Sequence, residues 1–184
     1  MRTDAQKNYE QILEVARDAV AANGASTSLR DIARRANVGL GTLYRHFPTR
    51  EALMEAVLRS SLDDLSVKAA ALETTGTEEE ALIAWLREAV AFSSRYRGAV
   101  ALMASALDDE NSALHVSCTM VRSACARLLA RAQAAGVARR DIDGADLLSL
   151  VAAVGWLHEQ PALAPRADRL FEVVADAVLA ARPR

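Results

Sequence analysis

The sequence is poor in aromatic residues and in proline. Only 8 of the 184 residues are Trp, Tyr or Phe, and of the four prolines only Pro48 precedes position 161. Sandwiches and barrels of β-strands depend on aromatic and β-branched residues, so this composition argues against them and favours helices. A hydrophobic content of 52% is sufficient for a buried core, which excludes a disordered chain.

Long apolar runs and numerous cysteines are also missing. Without a secretory signal or a membrane-spanning run, we expect a cytoplasmic protein that does not enter a membrane. The two cysteines, Cys118 and Cys125, are separated by seven positions in a helical pattern. Their Cα atoms would then be about 10 Å apart, too far for a disulfide within that helix. We therefore expect reduced thiols.

Charge is distributed unevenly along the chain. The formal net charge is −2. Residues 1–60 contain nine Lys or Arg against seven Asp or Glu, whereas residues 61–184 contain thirteen against seventeen. The basic excess at the N-terminal end indicates that an anionic partner would bind there.

Apolar residues recur at helical spacing along most of the chain. Ser28, Thr49 and Thr77 each suit the N-cap of a helix, and Thr77 with Glu80 forms a capping-box pattern. We predict an all-α protein of about nine helices, with domains at residues 1–49 and 50–184. The predicted helices span about residues 5–22, 29–36, 40–47, 50–72, 78–97, 98–107, 112–135, 144–160 and 165–181.

The segment from Thr27 to Leu53 is the most informative about function. It predicts a short helix, a tight turn at Asn37-Val38-Gly39 and a second short helix that Pro48 ends. The outward face of the second helix carries hydroxyl, aromatic, guanidinium and imidazole groups, which donate to phosphates and base edges. On composition alone, a helical hairpin with a solvated basic face is the better explanation.

The residues Val38-Gly-Leu-Gly-Thr-Leu-Tyr-Arg-His-Phe47, followed by Thr49-Arg-Glu-Ala-Leu53, closely resemble the DNA-binding domain of the TetR family of bacterial transcriptional regulators. The resemblance covers about residues 8–58, and this version of the motif, with an Ala-rich tail containing Trp85, is similar to the SbtR-like subgroup. Membership implies an N-terminal helix-turn-helix domain of three helices, a connecting fourth helix and a C-terminal helical domain for ligand binding and dimerisation.

The resemblance also implies which residues contact double-stranded DNA. Tyr44, His46 and Arg50 are the implied phosphate ligands, and Arg30 and Arg45 are the implied ligands of guanine edges. The full implied set is Thr27, Ser28, Arg30, Leu40, Thr42, Tyr44, Arg45, His46 and Arg50.

Two positions depart from the usual family pattern. Asn37 stands in the turn where Gly is usual, and Arg50 stands where Lys is common. Asn37 can adopt the left-handed backbone conformation that the turn requires, and Arg50 keeps the positive charge of lysine. Packing is an alternative role for Tyr44, and simple solvation is an alternative for Arg34 and Arg35.

Large and polarizable residues follow helical stripes in the C-terminal half. Such stripes form helical core by default, but the resemblance implies an effector cavity between these helices, so their members are also candidate cavity walls. The set lacks Lys, Asp and Glu, so we expect an apolar or aromatic ligand, with Tyr96 or a thiol as its polar contact. The candidate ligand-binding residues are Trp85, Phe92, Tyr96, Met103, Cys118, Met120 and Trp156.

The last two predicted helices are more apolar than a monomer of this size requires. We predict that they form a two-fold four-helix bundle with a second copy of the chain, and that the small residues Ala152, Ala153, Gly155 and Ala181 permit close approach there. The predicted dimer contacts are Leu147, Val151, Val154, Leu170, Val174 and Val178.

The sequence predicts neither a metal site nor catalysis. His115, Cys118 and Cys125 share one helix and cannot close a tetrahedron around an ion. His158-Glu159 resembles the start of a zinc-protease motif, but Ala162 occupies the position of the second histidine. Since no acid–base pair, phosphate loop or cofactor fingerprint occurs in the sequence, we expect no enzyme and no cofactor.

The predicted function is therefore a homodimeric repressor that binds a palindromic operator and is released by a small apolar or aromatic effector. One alternative is a small helical protein that sequesters an apolar metabolite, and another is a helical enzyme without a cofactor. A carrier has no reason to expose the group Thr42, Tyr44, Arg45, His46 and Arg50, which argues against the first alternative.

Overall fold

The computed structural model describes residues 2–23, 27–96 and 98–180. Within these ranges the chain forms nine α-helices and an isolated bridge between Ala138 and Leu179, which confirms the all-α prediction. None of these helices is long and apolar enough to cross a membrane. The helices are α1 (Arg2–Asn23), α2 (Leu29–Arg35), α3 (Leu40–His46), α4 (Arg50–Leu72), α5 (Glu78–Arg95), α6 (Ala99–Asp108), α7 (His115–Ala134), α8 (Gly144–Glu159) and α9 (Ala164–Val178).

The chain divides into two compact units, residues 1–60 and residues 61–184. Helix α4 contributes residues to both units. The predicted domain boundary, between residues 49 and 50, falls at the start of α4, before this division.

The core of the N-terminal unit joins α1, α2 and α3. Ile12 and Ala16 of α1, Ile32 of α2 and Leu43 of α3 are all buried. Each large aliphatic side chain that is buried in this way contributes about 1.5–3 kcal/mol. The apolar stripes therefore fix α3 against the other two helices.

In the C-terminal unit, α8 packs against α5, α7 and α9. Trp85 of α5 and Leu147 of α8 are fully buried. The Trp85 indole Nε1 donates a hydrogen bond to the Leu65 carbonyl at 3.1 Å, which satisfies its polar group inside the core.

Helices α5 and α8 approach each other closely at Ser93 and Gly155. A Cβ atom on Gly155 would overlap the Cβ of Ser93, so the packing here requires glycine. Gly155 was expected between two copies of the chain. That expectation is wrong, because Gly155 is buried against its own subunit. Ala181, which was expected there as well, lies outside the described residues.

Two of the three predicted N-cap side chains make a capping hydrogen bond. The Thr77 capping box is confirmed, since the Glu80 amide donates to Thr77 Oγ1 at 3.2 Å and the Thr77 amide donates to Glu80 Oε2 at 2.9 Å. Thr49 accepts from the Ala52 amide at 3.1 Å, as predicted. Ser28 occupies the N-cap of α2 but its side chain makes no capping hydrogen bond.

Three helix ends differ from the prediction by about a turn. Helix α1 begins at Arg2 rather than near residue 5. Helix α7 begins at His115 rather than near residue 112, because Asp109 holds a turn in which its carboxylate accepts from the Asn111 amide at 3.0 Å. Helix α9 ends at Val178 rather than near residue 181, because its last carbonyl accepts from the Arg139 amide at 3.0 Å.

Candidate nucleic-acid interface and ligand cavity

The turn between α2 and α3 depends on Asn37. This residue has a φ of 52°, in the left-handed region that asparagine tolerates better than most residues, as the sequence predicted. The amides of Asn37 and Val38 donate to the carbonyls of Arg34 and Ala33 at 3.1 and 3.0 Å. The end of α2 is thereby satisfied, and the chain can turn directly into α3.

Helix α3 buries one face and exposes the other. Leu43 is fully buried, whereas Tyr44 is 46% exposed and Arg45 is exposed. Arg45 Nε donates to the Gly41 carbonyl at 3.3 Å and Arg45 Nη2 donates to Thr42 Oγ1 at 3.2 Å. These bonds hold the guanidinium along the helix and leave it further N–H donors for an external partner.

His46, at the end of α3, is half-buried and positioned by α1. Its ring lies 6.1 Å from the ring of Tyr9 in an edge-to-face arrangement, and Tyr9 stacks on Phe47 at 5.0 Å. These contacts orient the imidazole at the rim of the exposed face.

Thr27 and Arg50 connect the entry of α2 to the start of α4. Arg50 Nη1 donates to the Thr27 carbonyl at 2.8 Å, and Thr27 Oγ1 donates to the Ala19 carbonyl at 3.0 Å. Thr27 is 8% exposed, so its side chain belongs to the scaffold of this unit. Both residues of the implied DNA-contact set therefore also have a structural role.

The remaining members of that set lie at or near the surface. Ser28 and Arg30 are exposed, and Leu40 and Thr42 are half-buried. The neighbouring Arg34 is exposed and pairs with Asp31 at 3.1 Å. An exposed pair of this kind is worth at most about 1 kcal/mol, so it would yield readily to a phosphate.

The C-terminal unit contains a cavity of about 380 Å³. This volume lies within the usual range of small-molecule sites. Twelve of its fifteen lining residues are apolar, and the three polar ones are Ser93, Arg122 and Ser149. The apolar lining residues are Leu65, Ala89, Phe92, Val100, Met103, Ala104, Leu107, Val121, Ala145, Leu148, Val151 and Ala152.

Two of the seven residues predicted for ligand binding, Phe92 and Met103, line this cavity. Met120 and Trp156 lie on the surface, where they are 49% and 53% exposed. Hydrophobic side-chain size therefore did not identify which helix faces turn towards the cavity.

Trp85, Tyr96 and Cys118 are buried but do not line the cavity. The Tyr96 hydroxyl is hydrogen-bonded to Ser61 Oγ at 2.8 Å, so it is already occupied within the protein. Trp85 reaches the wall indirectly, through its hydrogen bond to the Leu65 carbonyl.

Arg122 is the charged cavity residue that sequence reasoning missed. It is exposed, lines the cavity, and makes no hydrogen bond or ion pair with the described residues. Its only sequence signal is its position directly after Val121, a member of the apolar stripe of α7.

The two cysteines are buried and free. Burial raises the pKa of Cys118, and burial together with the Asp143 carboxylate raises the pKa of Cys125 to about 12. Both thiols are consequently protonated near neutral pH. Throughout the described ranges, no three His, Cys, Asp or Glu side chains are grouped so that they could hold a metal ion.

The residues predicted for dimerisation are mostly buried within the subunit. Leu147, Val151, Val154 and Val178 are at most 7% exposed, whereas Leu170 is 39% exposed. Val174 is half-buried. Large apolar side chains that are exposed in α8, in α9 or just before α9 are Leu150, Trp156, Leu163, Leu170 and Val173.

Two family models match the chain. Residues 12–57 match the model for bacterial regulatory proteins of the tetR family, and residues 77–178 match the SbtR-like transcriptional regulator C-terminal domain. The first match contains α2, α3 and the turn between them, and the second contains most of the cavity wall.

Solved structures with similar sequences cover nearly the whole chain. The TetR regulator SCO0520 of Streptomyces coelicolor is 31% identical, with a TM-score of 0.75 over 95% of this chain and 99% of that one. A TetR regulatory protein of Mycobacterium vanbaalenii is 32% identical, with a TM-score of 0.69 over 97% of this chain and 99% of that one.

Curated relatives match over a shorter stretch. The transcriptional repressor KstR2 of Rhodococcus jostii is 34% identical over 74 residues, which is 40% of this chain and 36% of that protein. The regulator UidR of Escherichia coli is 39% identical over 59 residues, or 32% of this chain and 30% of that protein. The matches thus span about a third of the length of these relatives.

Proposed function

Because the chain belongs to the TetR family of bacterial transcriptional regulators and has an SbtR-like C-terminal domain, we propose that it is a ligand-responsive repressor. In this proposal a homodimer binds a palindromic operator in the cytoplasm, and a small effector releases it. The observation that carries the proposal is the outward face of α3, where Tyr44 and Arg45 stand exposed beside a turn that Asn37 holds.

Helix α3 would enter the major groove of DNA. Arg45 is the residue we assign to a base edge, because its guanidinium can form paired hydrogen bonds with guanine. Tyr44, His46 and Arg50 would bind phosphates, and Arg30 on α2 would reach the adjacent backbone or a base. Thr27 would act by positioning, since its side chain is buried and Arg50 bonds to its carbonyl.

Dimerisation would use the exposed apolar residues of α8 and α9. Trp156 and Val173 are 53% and 56% exposed, so each has a large apolar surface left to bury. Aromatic anchors of this type dominate the energetics of protein interfaces. In the proposed bundle Leu170 and Val174 retain their predicted place, while the buried Leu147, Val151, Val154 and Val178 support the interface from inside the subunit.

The effector would bind in the cavity lined by Phe92 and Met103. Leu65 of α4 is also part of that wall, and α4 begins at Arg50 in the DNA-binding unit. A ligand that prefers one position of α4 would alter the spacing of the two α3 helices in a dimer. DNA affinity would then change by the ligand's differential affinity for the two states, and the effect would be reciprocal.

The proposal is tested by selection of bound sequences from a pool of random DNA duplexes. The expected result is enrichment of one sequence with two-fold symmetry, since each half-site would receive one copy of α3. Recovery of duplexes without any shared sequence would contradict a regulatory role. That outcome, together with tight binding of apolar compounds, would favour the protein that sequesters a metabolite.

A further inference from the structure

Arg122 stands out among the residues that line the cavity. It contributes the only charged side chain of the described wall, which otherwise consists of twelve apolar residues and two serines. We propose that Arg122 binds the carboxylate of an amphipathic organic acid whose apolar part fills the cavity. This inference rests on the proposed function, because it takes the cavity as the effector site.

The two serines of the wall do not compete for this role. Ser93 Oγ donates to the Ala89 carbonyl at 3.1 Å, and Ser149 Oγ donates to the Ala145 carbonyl at 2.8 Å. Each hydroxyl proton is therefore already used within its own helix. Arg122 supplies five N–H donors, and it makes no hydrogen bond or ion pair with any described residue.

The chemistry of the guanidinium favours a planar anion. Two parallel N–H donors of arginine match the two oxygens of a carboxylate, and a bond to a charged acceptor is about twice as strong as a neutral one. A cationic ligand would be repelled, because the described wall offers no carboxylate to oppose Arg122. A neutral apolar ligand would gain nothing from this residue.

Exposure of Arg122 sets the orientation of the acid. The side chain is exposed, so the bound carboxylate would lie at the mouth of the cavity and retain part of its hydration. The apolar part would extend inwards towards Phe92 and Met103. The carboxylate would then avoid the large cost of full desolvation.

The test compares two probes of equal size, naphthalene-2-carboxylate and naphthalene-2-carboxamide. Dissociation constants are measured by calorimetry on the wild-type protein and on Arg122→Gln, Arg122→Lys and Arg127→Gln. Arg127 is the matched control, because it lies on the same helix but pairs with Glu73 at 3.0 Å, away from the cavity wall.

We expect Arg122→Gln to weaken carboxylate binding about tenfold or more and to leave carboxamide binding within about twofold. Arg122→Lys should retain part of the carboxylate affinity, and Arg127→Gln should retain all of it. High salt should weaken binding of the carboxylate probe but not of the carboxamide, because the charge of an exposed arginine is screened by salt. Equal effects of Arg122→Gln on both probes, or no binding of the carboxylate to the wild-type protein, would overturn the proposal.

A cavity-filling variant, Ala152→Phe, separates this inference from the proposed function. If Ala152→Phe blocks both probes but Arg122→Gln does not discriminate between them, the cavity is a ligand site and only the role of Arg122 is overturned. If Ala152→Phe blocks neither probe, the cavity is not their binding site, and the proposed effector site is overturned as well.

Discussion

Side chains of α3 perform two different tasks. Leu43 anchors the helix in the core of the N-terminal unit, whereas Arg45 lies along the exposed face with donors to spare. Arg50, at the start of α4, has a structural role beside its proposed phosphate contact, since its guanidinium donates to the Thr27 carbonyl. Substitution of Arg50 would therefore disturb the scaffold as well as any phosphate contact, and Arg45 is the cleaner probe of DNA reading.

We predict that Arg45→Ala relaxes sequence preference. The discrimination between the selected operator and a duplex with a changed guanine should fall by about 1–3 kcal/mol, because the paired hydrogen bonds to that base are lost. Binding titrations with both duplexes measure this difference. The control is Arg131→Ala, which removes an exposed arginine that pairs with Glu78 in the C-terminal unit, outside the proposed dimer interface. An unchanged preference in Arg45→Ala would contradict the assignment.

Burial of the thiols predicts low chemical reactivity. Since the pKa of Cys125 is raised to about 12, it forms almost no thiolate at pH 8, and the raised pKa of Cys118 acts in the same direction. Iodoacetamide should modify neither residue in the folded protein and both in concentrated guanidinium chloride, as mass spectrometry can show. Rapid modification of the folded protein would indicate that the thiols are accessible and ionised.

The same pKa shift gives a pH dependence of stability. Above about pH 8.5 the unfolded chain loses its thiol protons first, because a free cysteine has the lower pKa. The contribution of Cys125 to the free energy of unfolding is therefore complete below that pH and declines as the pH rises towards about 12. Denaturant titrations should show a smaller decline between pH 8 and pH 10 for Cys125→Ala than for the wild-type protein.

At the residue scale, local sequence predicted which side chains α3 exposes better than it predicted the lining of the cavity. Asn37, Tyr44 and Arg45 lie within nine consecutive residues, so their relative placement follows from the local geometry of one turn and one helix. A cavity wall combines faces of several helices, and helical periodicity does not reveal which face points inwards. This is why Met120 was expected on the wall and Arg122 was not.

The boundaries of individual helices follow largely from capping residues and glycines that the sequence places at their ends. The capping box at Thr77 lies where the sequence indicated, and α7 ends at Ala134, just before Gly136 with its φ of 75°, close to the predicted end near residue 135. A second capping box, between Asp143 and Asp146, also fixes the start of α8, and its Asp-x-x-Asp spacing was available in the sequence. The end of α9 was not predictable, because it depends on a bridge to a distant segment.

The contact between α5 and α8 yields a prediction for stability. Gly155→Ala should reduce the free energy of unfolding by about 1–3 kcal/mol, because the added methyl group overlaps Ser93 and the helices must separate. Gly41→Ala is the matched control, since a Cβ there meets no atom within 4 Å. That variant should be as stable as the wild-type protein or gain up to about 1 kcal/mol.

Chemical denaturation of both glycine variants measures these effects. A Gly155→Ala protein as stable as Gly41→Ala would show that the two helices have room to adjust. In that case the contact between α5 and α8 does not require glycine at position 155.

At the scale of the whole molecule, the sequence correctly indicated two apolar C-terminal helices. It did not indicate which of their apolar side chains are buried inside the subunit and which are exposed on it. Periodicity cannot distinguish residues that pack within one subunit from residues that remain exposed on it. Val151 and Val154 belong to the first group and Val173 belongs to the second. A test of dimerisation should therefore change a residue that is exposed on the single subunit and does not contribute to its core.

We predict that Val173→Glu converts the proposed dimer into a folded monomer. Val173 is 56% exposed in the subunit, so the charge costs little in a monomer but is unfavourable in a buried interface. Val67→Glu is the control, because Val67 is 69% exposed on α4, outside the proposed bundle. Light scattering should give a monomer for the first variant and a dimer for the second. Dimers in both cases would place the interface elsewhere.

The central claim is that two copies of α3, fixed at a set spacing in one dimer, read one operator. The most direct measurement compares the affinity of the protein for the selected palindrome with its affinity for the same sequence carrying about five extra base pairs, roughly half a helical turn, between the half-sites. We predict that the insertion reduces binding to the level of unrelated DNA, because the second half-site is turned to the opposite side of the duplex. Unchanged affinity for the lengthened site would show that each chain reads DNA independently, and would contradict the account.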